Sequence, residues 1–298
     1  MRPHIVVVGS LNMDLVIQTP RHPQPGETIT GGQFRTIPGG KGANQAVAAA
    51  RMGGRVTMIG CVGRDPFGDT LIENLSAAGV DTGRVGRAEA STGVALITVA
   101  ATGENTIVLA PGANAAVSAQ IVASHADAIA NADALLLQLE VPLDAVQAAV
   151  EIAQARGTPI ILNPAPARTL PADLLQQVTY LIPNEHEAAL LGIGREAGQA
   201  SWRRGGSANV ILTLGERGAL AMLPGESTPA PAFSVPVVDT TAAGDAFVAA
   251  FAVALTEGKS AVAATRWGCA AGALACTVLG AQPSLPMRAA VEALLAAQ

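Results

Sequence analysis

The chain has 298 residues, of which 50% are hydrophobic, 3% aromatic and 14% charged, a composition that can bury a large core of small side chains and that excludes a disordered protein. Its formal net charge is −5, and its basic residues are scattered arginines plus two lysines, Lys41 and Lys259. Because no basic stripe exists to neutralise a phosphate backbone, nucleic acid is excluded as an expected partner.

The cysteines and the apolar runs narrow the class of protein further. Cys61, Cys269 and Cys276 are too few and too far apart for a disulfide framework, and none has zinc-ligand spacing. The apolar run at the start is too short for a signal peptide, and the run at 246–256 is too short to span a bilayer. The sequence therefore predicts an enzyme-sized chain in the reducing cytoplasm, with no membrane partner.

Short β-branched runs alternate with alanine-rich stretches of helical periodicity along the chain, which predicts an α/β fold with a mainly parallel sheet. The clearest predicted strands are 5–9, 134–140, 159–163 and 209–215. The predicted helices are 42–53, 67–78, 118–130, 142–156, 184–191, 243–257, 260–276 and 286–297. Ligands of such folds bind where the polar residues follow the carboxyl ends of the strands.

Two segments interrupt this alternation, residues 13–37 and 91–109. Both are typical of antiparallel strands, and the second has a hairpin pattern around Thr102, Gly103 and Glu104. Since both segments leave the end of the sheet that carries the polar loops, we expect a small β-sheet lid over the site.

The segment PGGKGANQ, residues 38–45, combines small residues with the start of a helix. Gly40 and Gly42 leave backbone amides accessible there, and Asn44 adds an amide suited to sugar hydroxyls. The segment is not a Walker A loop, because no Ser or Thr follows Lys41. A glycine pair before a helix also forms a tight turn that binds nothing, so both interpretations stay open.

Polar residues lie at the ends of two predicted strands. The first strand, 5–9, is followed by Ser10, Asn12 and Asp14, and the strand 134–140 ends at Glu140. In an extended segment Asn12 and Asp14 lie on one face, where an amide and a carboxylate can grip adjacent hydroxyls of a sugar. Alternation at a solvated strand end explains Asn12 and Asp14 equally well. Glu140 is equally the first residue of an ordinary loop.

Asn184 and Glu187 are three residues apart at the start of a predicted helix and so share one face. They form either an N-cap with its capping-box partner or a pair that organises hydrated Mg²⁺ and nucleotide phosphates. The segment LTLGERGAL, 212–220, is either an ordinary hairpin turn or a turn whose glycines let the backbone approach phosphates.

The segment VDTTAAGDAFVAAF, 238–251, places Asp245 in the first turn of an apolar helix. The helix dipole explains such a carboxylate, with a benefit of about 0.3 to 1 kcal/mol. However, Ala242, Ala243 and Gly244 remove side-chain bulk where the amides of the helix start point outward, which makes an anion hole beside a base. Phosphoryl transfer to an alcohol requires both features. The same helix carries an apolar stripe, Phe247, Phe251 and Leu255, that we expect to face the sheet.

With these segments, nearly the whole chain closely resembles the ribokinase-like family of carbohydrate and nucleoside kinases. The matching motifs are GSLNMDLV, PGET, GGKGANQAVAA, STGVALI, LNPAPAR, PNEHE, LTLGERG, VDTTAAGDAF and GAQPSLP. The resemblance implies one ribokinase-like domain over residues 1–298, a three-layer sandwich whose mainly parallel central sheet is flanked by helices, with a small β-sheet lid. It also implies transfer of the ATP γ-phosphoryl group to the 5-hydroxyl of D-ribose, giving ribose 5-phosphate and ADP.

The resemblance further implies a role for each matching residue. Asp245 would be the catalytic base, with the amides of Ala242, Ala243, Gly244 and Asp245 as the anion hole. The implied sugar contacts are Asn12, Asp14, Gly40, Lys41, Gly42, Ala43, Asn44, Glu140 and Asp245. The implied nucleotide contacts are Asn184, Glu187, Thr213, Leu214, Gly215, Glu216, Arg217, Gly218, Gly244 and Cys269. Glu187 would hold Mg²⁺ through water, and a K⁺ site would comprise Asp239, Thr241, Ala275, Val278, Gly280 and Ser284.

The chain departs from the family pattern in two places. Ala242 stands where many members have glycine, and the segment 192–209 is shorter than the usual helix-bearing segment. Two other functions stay open: a kinase for another sugar or a nucleoside, and a non-catalytic sugar-binding regulatory module. The family implies a homodimer formed through the lid, which the free edge of the lid sheet permits.

Overall fold

The computed structural model describes residues 2–193 and 209–297. Its strands are β1 (His4–Val8), β2 (Asn12–Thr19), β3 (Phe34–Gly39), β4 (Arg55–Gly63), β5 (Val80–Ala88), β6 (Gly93–Ala100), β7 (Asn105–Ala110), β8 (Ala134–Leu137), β9 (Ile160–Leu162), β10 (Tyr180–Leu181), β11 (Asn209–Thr213), β12 (Ala219–Leu223) and β13 (Glu226–Ala230). Its α-helices are α1 (Lys41–Arg51), α2 (Pro66–Ala77), α3 (Ala119–Ser124), α4 (Ala126–Ala130), α5 (Leu143–Gln154), α6 (Ala172–Gln177), α7 (Glu185–Leu190), α8 (Ala243–Thr256), α9 (Ala261–Ala275), α10 (Ala281–Ser284) and α11 (Arg288–Ala296).

Within the described residues, the central sheet has nine strands in the order β13-β12-β11-β10-β9-β8-β1-β4-β5. The strands from β11 to β5 are parallel, whereas β12 and β13 add antiparallel pairs at one edge. Successive residues of β1 point to opposite faces of the sheet: Ile5 and Val7 pack with α1 and α8, while Val6 and Val8 pack with α5. The predicted three-layer sandwich with a mainly parallel sheet is confirmed.

The lid is a separate sheet of four strands among the described residues, in the order β3-β2-β6-β7. The pairs β2–β3 and β6–β7 are antiparallel, as predicted for the two segments, and a parallel pair, β2–β6, joins them in the middle of the sheet. The parallel pairing follows from the connections to the central sheet. Because β2 follows β1 and β6 follows β5 through short loops, and β1 and β5 run in the same direction, β2 and β6 also leave the sheet in the same direction.

Two helix predictions need correction. The helix predicted over 118–130 is broken at His125, which has φ −113° and ψ 20° and separates α3 from α4. The apolar stripe predicted for 243–257 is also too narrow, since α8 is buried at every residue from Asp245 to Ala254. Alanines allow α1 and α9 to pack closely on either side of α8, and this packing holds the first turn of α8 in place. Over residues 2–193 and 209–297, no helix combines the length and the apolar character needed to cross a lipid bilayer.

Candidate active site

The polar residues predicted at the strand ends meet the N-termini of α1 and α8 at the carboxyl edge of the central sheet. A cavity of about 230 Å³ opens there. Its walls are Lys41, Asn163, Ala165, Ile182, Asn184, Glu187, Thr213, Thr240, Ala242, Gly244, Asp245 and Val248. The predicted catalytic carboxylate and the predicted magnesium carboxylate therefore line one cavity.

The start of α8 shapes one wall of this cavity. Ala242, the N-cap residue, has φ 60° and ψ 8°, and it is the single non-glycine residue with positive φ in the described chain. A left-handed alanine costs roughly 1 to 2 kcal/mol, so the surrounding structure must hold it there. Apart from its chain neighbours and the nearby backbone of its own helix, no described atom lies within 4 Å of the point where a side chain would begin at Gly244, which leaves room for a ligand. The amide of Ala243, predicted for the anion hole, donates instead to the carbonyl oxygen of Thr240 at 3.3 Å.

Asp245 is 6% exposed, and amide groups bind both of its oxygens. Asn44 Nδ2 donates to Asp245 Oδ2 at 2.9 Å, and Gln45 Nε2 donates to Oδ1 at 3.0 Å. Burial raises the pKa of Asp245 above its ordinary value, although Lys41 and the two amide donors oppose this shift. A carboxylate with a raised pKa is better matched to proton transfer near neutral pH than an ordinary aspartate is.

Lys41 is the cation at the centre of this acidic region. Burial lowers the pKa of Lys41, but Asp245, Glu140, Glu187 and Asp14 together raise it above its ordinary value, so the side chain is held as an ammonium ion. Burial and the neighbouring Glu140 and Asp245 raise the pKa of Asp14 to about 7. The cleft thus carries more negative than positive charge around a single lysine.

Glu140 joins the predicted sugar residues into one hydrogen-bonded group. Its Oε2 accepts from Ser10 Oγ at 2.5 Å, from Lys41 N at 3.1 Å and from Asn12 Nδ2 at 3.4 Å. Asn12 and Asp14 are both buried on β2, two residues apart, as the strand period predicts. Asn12 and Glu140 also line a second cavity, whereas Asp14 lines a third beneath the lid.

The glycine loop before α1 closes against the first strand. Gly40, the N-cap residue of α1, has φ 89°, and a Cβ atom there would lie 2.6 Å from the backbone nitrogen of Asn12. Only glycine fits this contact. The tight-turn interpretation of the glycine pair is therefore correct, and the same turn delivers Lys41 and Asn44 to the site. Gly42 and Ala43, also predicted for the sugar site, are buried and bonded to Ser10.

The predicted nucleotide residues divide into two groups. Asn184 and Glu187 form the capping box: Asn184 Oδ1 accepts from Glu187 N at 2.8 Å, and Glu187 Oε2 accepts from Asn184 N at 2.9 Å. Both residues nevertheless line the same cavity as Asp245, together with Thr213 and Gly244, so the two interpretations of the pair are compatible. Burial raises the pKa of Glu187. The remaining predicted nucleotide residues do not line this cavity, namely Leu214, Gly215, Glu216, Arg217, Gly218 and Cys269.

Those remaining residues lie in the turn after β11 and in α9. Residues Gly215–Arg217 form a 3₁₀ turn between antiparallel β11 and β12, which confirms the hairpin predicted around 212–220. Gly218 has φ 87°, and a Cβ atom there would lie 2.1 Å from the carbonyl oxygen of Ala230. Cys269 is buried beside the same strand end, with its Sγ 3.7 Å from that oxygen, and burial raises the pKa of its thiol to about 12.

Asp239 connects the two loops predicted to form a K⁺ site. Its Oδ1 accepts from Thr241 N at 2.9 Å and from Thr241 Oγ1 at 2.7 Å, and its Oδ2 accepts from Gly280 N at 2.8 Å. Ser284 is buried with its hydroxyl bonded to Ala281 O, Ala275 is buried, and Val278 is exposed. The structure therefore brings Asp239, Thr241 and Gly280 together directly.

Sequence reasoning missed several residues of the site. Gln45 contacts Asp245, Asn163 lines the cavity, and Asn114 Nδ2 donates to Asn12 Oδ1 at 2.7 Å. Asn163 carries the signal that identified Glu140, because it is the polar residue directly after an apolar strand. Gln45 and Asn114 carry no such signal, since each lies within or beside a helical segment. The shortened segment 192–209 lies almost entirely outside the described residues.

Comparisons with known proteins agree on one family. The family model described as pfkB family carbohydrate kinase matches residues 2–288. A ribokinase of Haemophilus influenzae is 43% identical over 296 residues, covering 97% of both chains, and a deoxyribokinase of Salmonella typhi is 38% identical, covering 95% of both. The solved structure of Arabidopsis thaliana ribokinase, complexed with ribose and ATP, superposes with a TM-score of 0.92 at 35% identity and covers 99% of both chains.

Asp14 provides a test of the acidic cleft in the absence of ligand. Its pKa of about 7 in the folded protein exceeds its ordinary value of 3.8, so the folded state retains a proton that the unfolded chain has released. The free energy of unfolding should therefore fall as the pH rises from about 4 to about 7 and then level off. We expect Asp14→Asn to remove this loss, which makes the variant more stable than the wild type by about 1 to 4 kcal/mol above pH 7 and nearly equal at pH 4.

Urea unfolding across this pH range measures the difference. Asp173→Asn, on the exposed first turn of α6, controls for the loss of one negative charge. A difference between Asp14→Asn and wild type that does not grow with pH would contradict the raised pKa.

Proposed function

The chain belongs to the pfkB family of carbohydrate kinases, and from that premise we propose that it transfers the γ-phosphoryl group of ATP to the 5-hydroxyl of D-ribose, giving D-ribose 5-phosphate and ADP. Asp245 carries this proposal, because a buried carboxylate with a raised pKa lies beside an open helix N-terminus. The base and the anion hole that alcohol phosphorylation requires are then adjacent. The ribokinases at about 40% identity support ribose as the acceptor.

In this proposal Asp245 accepts the proton of the 5-hydroxyl as that oxygen attacks the γ-phosphorus and the bond to the β-phosphate oxygen breaks. Asn12, Asp14 and Glu140 hold the other hydroxyls, with Gly40, Gly42, Ala43 and Asn44 completing the sugar site. Lys41 offsets the negative charge that develops near Asp245. The open amides at Gly244 and Asp245 receive the transferred group.

The residues present also fit the two cations. Magnesium binds nucleotides through one or two carboxylates, waters and phosphate oxygens, and it would neutralise phosphate charge here. Glu187 fits such a water-mediated role, since both of its oxygens already accept hydrogen bonds from Asn184 and no group of three or more acidic, histidine or cysteine side chains in the described residues is arranged to hold a metal ion directly. Potassium would stabilise the loops that Asp239 joins, close to the start of α8.

One other candidate has specific support, because a deoxyribokinase at 38% identity favours 2-deoxyribose as an alternative acceptor. The site argues against a non-catalytic sugar-binding module, which would not need a buried, amide-bound carboxylate beside an open helix start. A cytoplasmic location stays a prediction from the cysteine usage.

We further propose that two copies associate through their lids. Strand β7 is the edge of the lid sheet and is exposed along its whole length. The lid also exposes Phe34, Leu96, Ile107, Val108 and Leu109, each by 43% or more. An exposed apolar edge strand pairs readily with another chain, and burying these side chains would stabilise a dimer.

Sedimentation velocity tests this association. We expect a dimer for the wild type at micromolar concentrations and a monomer for Val108→Lys, because a charge on the lid would be buried without a partner. Met287→Lys, at a similarly exposed residue directly before α11, should remain dimeric. A monomeric wild type, or an unaffected Val108→Lys, would exclude the lid as the interface.

The acceptor is tested by measuring ADP release with ribose, 2-deoxyribose, fructose and adenosine. We expect the highest kcat/KM for ribose, a lower rate without potassium and no turnover when magnesium is chelated. A higher kcat/KM for deoxyribose would transfer the assignment to that sugar. ADP release with none of the four acceptors would refute the kinase proposal.

Asp245→Asn tests the base. The substitution should lower kcat by about 10² to 10⁴ or more, while ribose binding measured by calorimetry survives. Asp144→Asn is the matched control, because Asp144 occupies the exposed first turn of α5 and loses only its interaction with the helix dipole. Near-normal turnover by Asp245→Asn would show that its carboxylate merely stabilises the helix.

A further inference from the structure

Two glutamines beneath the site, Gln45 and Gln138, are completely buried. Gln45 lies in α1, next to Asn44, and Gln138 directly follows β8. Gln138 Nε2 donates to Gln45 Oε1 at 2.5 Å, and Gln45 Nε2 donates to Asp245 Oδ1 at 3.0 Å. A chain of two side-chain amides therefore ends on the carboxylate of Asp245.

The direction of the Gln45 amide is determined from both ends. Its Nε2 faces two acceptors, Asp245 Oδ1 and, at 3.4 Å, Asn163 Oδ1. Asn163 is oriented in turn, because its Nδ2 donates to the carbonyl oxygen of Ile182 at 2.9 Å. A rotated Gln45 would set its oxygen against two other oxygens and its nitrogen against the donor of Gln138. Gln45 is thus held as a donor to Asp245.

The other amide on Asp245 is less constrained. Asn44 Oδ1 is buried and has no hydrogen-bond partner within the described part of the chain. In the proposed function a sugar hydroxyl would donate to that oxygen, so Asn44 must serve the ligand as well as the carboxylate. Gln45 is the more constrained donor, because both ends of its amide already have protein partners.

The side-chain oxygen of Gln138, the residue farthest from Asp245 in this pair of amides, is unfavourably placed. Gln138 Oε1 is buried with no described partner, and a Cβ atom at Gly9 would lie 2.1 Å from it. An apolar side chain at this position would avoid burying an unpaired oxygen, so core packing alone does not favour glutamine here. The Nε2 group of Gln138, which orients Gln45, accounts for its presence.

We propose that Gln45 is a positioning residue for Asp245, and that Gln138 acts through Gln45, so that the two amides keep the carboxylate ionised and directed toward the acceptor hydroxyl. This role rests on the proposed function, in which Asp245 is the base. A donor on Oδ1 stabilises the charged form of a buried carboxylate, so its removal favours protonation. The catalytic base would then be lost at a higher pH.

The test compares Gln45→Met, Gln138→Met and the double variant with the wild type. Methionine matches the shape of glutamine but donates no hydrogen bond. We expect Gln45→Met to shift the acidic limb of the pH profile of kcat/KM to higher pH by about one to two units, since a hydrogen bond to a charged group changes a pKa by that much. The KM for ribose should change by less than about threefold, because both ends of the Gln45 amide are already bonded to protein groups.

Gln138→Met should move the same limb in the same direction by less, because Gln45 keeps its place but loses its fixed orientation. The double variant should match Gln45→Met alone if Gln138 acts only through Gln45. Thr158→Val, which removes a buried hydroxyl bonded to Ile129 O, controls for the loss of a buried polar group elsewhere. Thermal unfolding confirms that each variant is folded, and Gln138→Met keeps the test available if Gln45→Met does not fold.

A carboxyl ¹³C titration by NMR, with the Asp245 signal assigned from Asp245→Asn, measures the pKa of Asp245 without any turnover. It therefore separates this inference from the proposed function, because the expected rise in Gln45→Met would appear even in a protein that does not phosphorylate ribose. An unchanged Asp245 pKa and acidic limb in Gln45→Met would overturn the positioning role. Equal shifts in Thr158→Val would do the same, since they would reflect general loosening of the fold.

Discussion

The site depends on the contact between the first turns of α1 and α8, where Asn44 and Gln45 donate to the two oxygens of Asp245. Both helices begin at the carboxyl edge of the central sheet, and their N-termini meet only because small residues line the approach: Gly40 beside β2 and the alanines along α8. A buried carboxylate without donors would be costly, and the two amides offset part of that cost. The same contact therefore joins the helices and sets the chemistry of the carboxylate.

Charge is unevenly distributed around this contact. Asp14, Glu140, Glu187 and Asp245 surround the ammonium group of Lys41, and burial together with mutual repulsion raises the pKa of Asp14 and Asp245. Such an arrangement is unfavourable for folding but useful for binding, because sugar hydroxyls can donate to several carboxylates and a cation can balance the phosphates. The left-handed Ala242 adds backbone strain at the same place. The residues that the proposed reaction uses therefore lower the free energy of unfolding of the protein.

The lid sheet and the central sheet differ in how far other elements of the protein cover them. In the central sheet helices cover both faces, so the inner strands β8 and β9 are short, wholly apolar and buried. The lid sheet has exposed apolar side chains and an uncovered edge strand. Such a surface is favourable when a second protein surface covers it, as in the proposed dimer. Asp14 lies on β2 and lines a cavity between the lid and the loop that holds Asp239, so any movement of the lid reaches the proposed sugar site directly.

The sequence alone determined the alternation of strands and helices, the lid segments and the position of Asp245 in the first turn of α8, because these follow from local periodicity, turn residues and capping. Its motifs also identified the family. Tertiary structure decided what local patterns do not encode: the parallel pairing of β2 with β6, the break at His125 and the burial of α8 on all sides. It also decided that Gln138 and Asn163 bond to Gln45, which in turn donates to Asp245. These residues are as much as 200 positions apart, and their partnership arises from the crossing of α1 and α8 over the sheet rather than from any spacing along the chain.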